Sequence, residues 1–220
     1  MSPPPPFSVQ RSRALRPRGL WAAGGKRVFD VALSATALLL LGPLLLVLAL
    51  WVRLDSPGSA IYRQRRVGRW GREFSIHKFR TMVSDPQGRG ALFTVTGDAR
   101  ITRSGVWLRR TKLDELPQLY DVLRGRMSLV GPRPEVARYV AHYGDEARHR
   151  LLSVRPGLTD YASIEYRHEG DVLAQAADPE REYVEVVLPR KLQLSLRYVN
   201  DMSLLTDLRV LARTALAILR

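Results

Sequence analysis

The residues best able to do chemistry are two adjacent carboxylates, Asp114 and Glu115, set directly behind Arg109, Arg110 and Lys112. Read as the start of a helix, consecutive side chains point about 100° apart, so the two do not share one direction. They can still converge on a metal ion, or divide the roles of nucleophile and metal ligand. Taken alone, ordinary helix chemistry explains them better: acidic residues in a first turn complement the macrodipole, and Pro117 suits that turn. The surroundings alter the balance. Gly131-Pro132-Arg133-Pro134 holds one guanidinium between two prolines that restrict the backbone around it. Arginine grips phosphate in a planar, bidentate manner, so a stiff arginine loop suits a diphosphate; a structural turn with an exposed arginine is the plainer alternative. His77-Lys78-Phe79-Arg80 adds two cations on a short strand, or a solvated strand face. Arg155-Pro156-Gly157 is a further rigid basic turn. The four histidines, His77, His142, His149 and His168, show no metal-ligand spacing and read as surface or structural residues. No P-loop or dinucleotide fingerprint is present.

The elements that must position these residues begin with a segment that does not read as folded. Residues 1–25 open with Pro3 to Pro6, carry Arg11, Arg13, Arg16 and Arg18, and contain no acidic residue, so disorder is expected. The apolar run that follows has no small-residue cleavage site after it, which argues against a signal peptide. Val31 to Val52 is a stretch of 22 residues without a charge, and as a helix it would reach roughly 33 Å, about a bilayer core. Gly42-Pro43 interrupts its centre, where proline removes a backbone hydrogen bond and clashes with the preceding turn. Both flanks are basic: Lys26 and Arg27 before, then Arg53, Arg63, Arg65, Arg66 and Arg69 after. Positive flanks favour the cytoplasm, so both ends are expected on that side, and residues 26–57 read as a re-entrant helix-break-helix rather than a span. Ser34 and Thr36 can satisfy carbonyls freed at the break.

Residues 58–220 have the composition of a soluble domain. Ile61 to Gln64 and Phe74 to Phe79 read as strands, and Val83 to Gly90 as a polar loop. Ser104 can cap a helix through Arg110, and a second helix is expected from Asp114 to Arg124, stopped by Gly125. A rigid loop then leads to a helix from Glu135 to about Tyr143. The region from Tyr183 onward is mostly helical, its last part placing Leu208, Leu211, Ala212, Ala215 and Leu219 on one face. Such a basic amphipathic helix can lie on a membrane surface or pack on the core. There are 35 Lys and Arg against 21 Asp and Glu, a formal charge of +14 that implies anionic partners. Cysteine is absent, which removes disulfides, thiolate metal sites and a cysteine nucleophile.

In order along the chain, Lys26-Arg27-Val28-Phe29-Asp30, Lys78-Phe79-Arg80-Thr81-Met82, Leu113-Asp114-Glu115-Leu116-Pro117-Gln118-Leu119, Met127-Ser128-Leu129-Val130-Gly131-Pro132-Arg133-Pro134 and Arg155-Pro156-Gly157-Leu158-Thr159 resemble the bacterial sugar transferases, the small monotopic phosphoglycosyl transferases. The resemblance covers residues 26 to 220. It implies an α+β, mainly helical monotopic membrane protein with amphipathic interfacial helices, held at the bacterial inner membrane with its catalytic domain on the cytoplasmic face. It further implies a UDP-sugar donor, a polyprenyl phosphate acceptor, Mg²⁺ as cofactor, contact with membrane lipids and room for a homodimer. By motif, Asp114 would be the nucleophile and Glu115 its partner, both near the metal. Arg109 and Arg133, the latter set by Pro132 and Pro134, would hold phosphate or nucleotide. Lys78 and Arg80 would add positive charge, and Arg155 joins the same phosphate-binding set. Leu194-Ser195-Leu196 departs from the family's commoner form, which has an aspartate there. So does Asp160-Tyr161-Ala162-Ser163, where Gly-Leu-Trp-Gln is common.

The resemblance carries a reaction in which UMP leaves and a phosphosugar passes through the enzyme to the lipid. A conventional glycosyl transferase would release UDP instead. A membrane-tethered basic binding module also fits the charge, but no nucleic-acid motif or aromatic stacking platform appears, so no nucleic-acid partner is expected.

Overall fold

The structure, a computed structural model, describes residues 21–83 and 98–219. The proline-rich tail over residues 1–20 and the polar loop expected beyond Val83 lie outside the described residues. After a short turn, Trp21–Gly25, comes helix α1, Lys26–Asp55. The described chain continues with strands β1, Ile61–Val67, and β2, Glu73–Phe79, then helices α2, Arg103–Thr111, and α3, Gln118–Leu123. Strand β3, Ser128–Val130, helices α4, Ala137–Val140, and α5, Asp145–Leu151, and strand β4, Gly157–Thr159, follow. Helices α6 to α10 complete it: Tyr161–Glu165, Glu169–Ala174, Pro179–Glu182, Leu188–Asn200 and Leu204–Leu219. The protein is mainly helical with short strands, as expected.

α1 is the only helix among the described residues that is long and apolar enough to cross a membrane, and little of its surface is covered by the rest of the chain. It runs helically through Gly42-Pro43, so the expected break does not interrupt its helical course. A proline inside a helix removes one hydrogen bond without ending the element when both sides are strong helix formers, and here both are leucine-rich. Contacts with the domain gather toward the two ends. Phe29, Ala37 and Leu38 pack on a core of Leu119, Val122, Leu129 and Val130, while Leu48 and Val52 join Ala60, Phe79 and Leu108. Between them Leu39, Leu40, Leu46 and Val47 are exposed. A long apolar helix with an open middle and anchored ends is consistent with a monotopic membrane protein.

The two sheets are small. β1 and β2 pair antiparallel, with Ile61 opposite Phe79 and Val67 opposite Glu73. The first strand therefore runs three residues past Gln64, because Arg65, Arg66 and Val67 keep their backbone partners, although Arg65 and Arg66 are charged. β3 and β4 pair in parallel, Ser128 opposite Gly157 and Val130 opposite Thr159. This pairing needs close backbone approach: a Cβ on Gly157 would run into the backbone of Gly131, and one on Gly131 would come 2.7 Å from the Arg155 carbonyl. The loop around Arg133 is thereby pinned, Gly131 N–H donating to the Thr159 carbonyl and Gly157 N–H to that of Pro132.

Three helical expectations differ in detail. α2 begins one residue before Ser104, because the Thr102 hydroxyl accepts the Gly105 N–H at 3.0 Å and serves as the cap. The helix expected from Asp114 divides into a 3₁₀ turn, Leu113–Glu115, and α3. The helix expected from Glu135 starts at Ala137, since Val136 is extended and the Glu135 carbonyl accepts the Val67 N–H across to β1. In α10 the core side is Thr206, Asp207 and Val210, with Leu211 packed beside it; Leu204, Leu205, Leu208, Leu216 and Ile218 are exposed.

Candidate active site

Asp114 and Glu115 occupy the 3₁₀ turn between α2 and α3, and the residue that aims them is Lys112. It ends α2 in the left-handed conformation (φ 58°), turning its N–H back onto the carbonyls of Leu108 and Arg109 and sending the chain into a tighter turn. Left-handed backbone at a non-glycine residue is strained, and such strain collects at functional sites. Glu115 is held on both sides. Lys78, from β2, donates Nζ to its Oε1 at 3.0 Å. Arg133, from the loop after β3, donates Nη1 to Oε2 at 3.0 Å and Nη2 to Oε1, a bidentate grip. Arg133 is steadied by the Leu158 carbonyl at 3.3 Å. Asp114 is buried, and its Oδ1 has no hydrogen-bond partner among the described residues. An orphaned buried carboxylate oxygen is rare and calls for an explanation.

The electrostatics separate the two acids. Burial pushes the Asp114 carboxyl above its usual range, and the neighbouring Glu115 charge pushes the same way, against Lys78, Arg109 and Lys112. Glu115 is buried too, yet Arg133 and Lys78 outweigh that burial and hold it well below the ordinary glutamate value. Burial lowers both Lys78 and Lys112, with Glu115 opposing it. Adjacent carboxylates pushed apart in this way suit different roles: one permanently ionised, the other unpaired and poorly solvated.

The structure thus gathers Asp114, Glu115, Lys78 and Arg133, with the Arg109 charge within reach of Asp114. Pro132 and Pro134 fix the loop through their carbonyls, the latter accepting Arg66 Nη1 at 3.3 Å. Arg80 and Arg155 are not brought there. Arg80 lies just past the end of β2 and is buried beneath the end of α1. It donates to the Val52 carbonyl at 3.1 Å and to the Ser56 carbonyl at 2.5 Å. The last carbonyls of a helix lack partners, and a guanidinium supplies them. Arg155 donates Nε to the Gly125 carbonyl at 3.0 Å, with Arg27 and Asp30 as its charged neighbours.

Sequence reasoning left several polar residues unassigned. Glu135 is buried and accepts Tyr183 Oη at 2.7 Å, Lys191 Nζ at 3.3 Å and Arg66 Nη1 at 3.3 Å. It ties the Arg133 loop to β1 and α9. Its position two residues after Arg133 was the available signal. Asp121 is fully buried and accepts the His77 N–H at 2.9 Å, its other oxygen facing His77 Nδ1 at 2.8 Å. This fixes β2 against α3 and gives His77 a structural role. The two departures from the family's commoner form touch each other, since Ser195 Oγ donates to Asp160 Oδ2 at 2.6 Å. The other oxygen of Asp160 caps α6 by accepting Ser163 N–H at 2.8 Å. Among the described residues no group of three or more His, Asp or Glu could by itself hold a metal ion.

Comparison with known proteins places this arrangement. The family model described as bacterial sugar transferase matches residues 21–220. A UDP-glucose:undecaprenyl-phosphate glucose-1-phosphate transferase of Xanthomonas campestris pv. campestris is 39% identical over 198 residues, covering 88% of this chain and 38% of that protein. A protein of the same name from Caulobacter vibrioides is 39% identical over 199 residues, 88% of this chain and 69% of its own length. A UDP-N-acetylgalactosamine-undecaprenyl-phosphate N-acetylgalactosaminephosphotransferase of Aeromonas hydrophila is 35% identical over 196 residues, 88% of this chain and 43% of that protein. The chain therefore spans about two fifths of the length of the Xanthomonas and Aeromonas proteins. With a family match running from Trp21 to the last residue, over the Asp114–Glu115 turn and the Arg133 loop alike, this chain belongs to the bacterial sugar transferases.

Proposed function

We propose that this chain transfers a sugar 1-phosphate from a UDP-sugar to a polyprenyl phosphate, with Asp114 as nucleophile. The observation that carries the reading is the buried, unpartnered Oδ1 of Asp114 beside a glutamate clamped by Lys78 and Arg133. The named activities of the Xanthomonas and Aeromonas relatives support the donor and acceptor classes, and their different sugars leave the sugar itself open.

In the first half-reaction an Asp114 carboxylate oxygen attacks the β-phosphorus of the donor. The bond from that phosphorus to the bridging oxygen breaks, and UMP leaves with the electron pair. An acyl phosphate now joins Asp114 to the sugar phosphate. In the second, an oxygen of polyprenyl phosphate attacks the same phosphorus, the acyl bond breaks, and Asp114 returns as carboxylate. Both encounters bring anion to anion, so positioned cations are the main requirement. Arg133 and Lys78 supply them. They are already oriented by Glu115, so little reorganisation is needed when phosphate arrives. The poor solvation of Asp114 keeps its attacking oxygen free of a hydrogen-bonded shell. A covalent intermediate lets a water-soluble donor and a lipid acceptor use one site in turn.

Mg²⁺ fits this site. Magnesium binds through one or two carboxylates, completed by substrate phosphate oxygens and water. Asp114 offers a free oxygen, with Glu115 adjacent but already engaged by two cations. When bound, the ion would neutralise charge on the diphosphate.

The same reading makes α1 a re-entrant element at the cytoplasmic face of the bacterial inner membrane, dipping into one leaflet. Its support is that both ends bind one domain. Lys26 pairs with Asp207 at 2.6 Å and Asp30 accepts the Leu129 N–H, while Asp55 accepts the Ser104 N–H at 2.9 Å.

The decisive test is nucleotide release by the full chain in detergent with Mg²⁺, polyprenyl phosphate and a panel of UDP-sugars. UMP from one donor, reduced at least ~10³-fold in Asp114→Asn, is expected. UDP in place of UMP, or undiminished release by the variant, would overturn the mechanism.

A further inference from the structure

The start of α1 carries a second, separate concentration of positive charge around the end of α3. Arg27 donates Nη1 to the Val122 carbonyl at 2.6 Å and Nη2 to that of Leu123 at 2.8 Å. Arg155 approaches the same helix end, donating Nε to the Gly125 carbonyl at 3.0 Å. Gly125 has φ +74°, and a Cβ there would lie 3.4 Å from Arg27 Nη2, so the two guanidiniums close on one turn of backbone. Arg124 and Arg126 flank that glycine and are exposed. Two arginines thus grip one helix end, and two more follow it directly in the chain.

The local counter-charge falls short of four. The helix terminus contributes about half a negative charge. Among the described residues Asp30 is the one carboxylate whose charge reaches Arg155, and it is buried with Oδ1 committed to the Leu129 N–H at 3.0 Å. Arg124 donates Nη1 to the Tyr120 hydroxyl at 3.0 Å, a neutral partner that leaves its charge uncompensated. The two terminal amino groups of Arg155 make no hydrogen bond or ion pair among the described residues. A half-buried guanidinium with a free fork and like-charged neighbours is built for a bidentate anion, and phosphate oxygens match that fork.

The setting selects the source of that anion. Arg27 precedes the uncharged stretch of α1 by one turn, so the cluster sits where the helix leaves the aqueous domain for its apolar course. α10 reaches the same place through the Lys26–Asp207 pair and carries exposed Leu205, Leu208 and Leu216. At that depth the phosphates available in quantity belong to the bilayer.

We infer that Arg27, Arg155, Arg124 and Arg126 form a headgroup site for an anionic phospholipid, separate from the Asp114–Glu115 pair and built on the end of α3 at the start of α1. The groups that act on Arg155 are Arg27 and Asp30, and neither acid of the pair is among them.

The test is lipid retention by the full chain, released from mixed micelles of phosphatidylglycerol and phosphatidylcholine and weighed by native mass spectrometry. The wild type should keep phosphatidylglycerol over phosphatidylcholine. Arg155→Gln should weaken that retention about fivefold, and the double change Arg124→Gln with Arg126→Gln at least as much. The double change alters exposed side chains only, so it reports on the site even where Arg155→Gln loosens the turn. Arg197→Gln, an exposed arginine on α9 whose guanidinium lies over the Tyr161 ring, is the control and should change nothing. Three results would each overturn the inference. One is equal retention in these variants and the control. Another is displacement of the lipid by millimolar inorganic phosphate, which would mark a soluble-anion site. The last is displacement by polyprenyl phosphate at equal mole fraction, which would assign the cluster to the acceptor.

Discussion

Glu115 is the residue on which the charge of the whole pair turns. It is buried, yet Arg133 and Lys78 keep it ionised well below the usual glutamate range, and its charge in turn helps burial raise Asp114. On the proposed mechanism Asp114 must be ionised to attack, so with its carboxyl raised, activity should fall as pH drops through a value above the ordinary 3.8 for aspartate. In Glu115→Gln one negative neighbour is gone and two cations are freed to face Asp114. Both effects favour the carboxylate, so the acid limb of the pH–rate profile should move to lower pH. A limb that stays put, measured as UMP release across pH, would mean that Asp114 is not the group that titrates. The pair, its flanking cations and the Arg133 loop were legible in the sequence only together, in the order that resembles the family, since each taken alone had a plain structural alternative. The misplacement of Arg80 has a simple origin. Lys78 and Arg80 alternate with Phe79 as strand residues on one face, but the strand ends at Phe79, and beyond that point the carbonyls of α1 decide where a guanidinium goes.

At the scale of elements, the site depends on one narrow crossing. β3 and β4 are three residues each, and their parallel pairing is possible only where Gly131 and Gly157 let two backbones touch. Gly157→Ala would drive a Cβ into the Gly131 backbone and displace the loop that carries Arg133. A loss of about 3 kcal/mol or more in stability is expected, with the thermal transition falling in step. Gly144→Ala is the matched control: nothing lies within 4 Å of its Cβ, so its transition should stay put. Equal behaviour of the two variants in detergent melts would refute the crossing as the support of Arg133. These short strands were not visible beforehand, since three residues carry no measurable alternation and their pairing is set by distant segments. The expected break at Gly42-Pro43 was read from a local rule, and a helix with strong formers on both sides absorbs a proline within its course. The helix expected from Glu135 gave way to a tertiary demand, the tie of Glu135 to β1, Tyr183 and Lys191.

At the scale of the whole molecule, the proposed function sets a 30-residue apolar helix and a basic domain at one membrane surface. In the re-entrant reading the two ends of α1 lie on one side. Cysteine introduced at Val28 and at Arg63, both exposed, should then label from the cytoplasmic side with a membrane-impermeant reagent. The chain has no native cysteine to confuse the result. Labelling from opposite faces would make α1 a span and end that reading. The apolar run was enough to foresee a helix suited to a membrane, whereas the fastening of that helix was not, because it rests on pairs such as Lys26 with Asp207, 181 residues apart. That fastening has a mechanical side. Arg80 grips the carbonyls that end α1, and Lys78, two residues earlier on the same chain, grips Glu115. A strand held at both places cannot follow one without disturbing the other. On the proposed function, tilting of α1 as the bilayer thins or thickens would pull on the contact that orients the carboxylate pair, and the acyl-chain length of the host lipid would become an input to the rate.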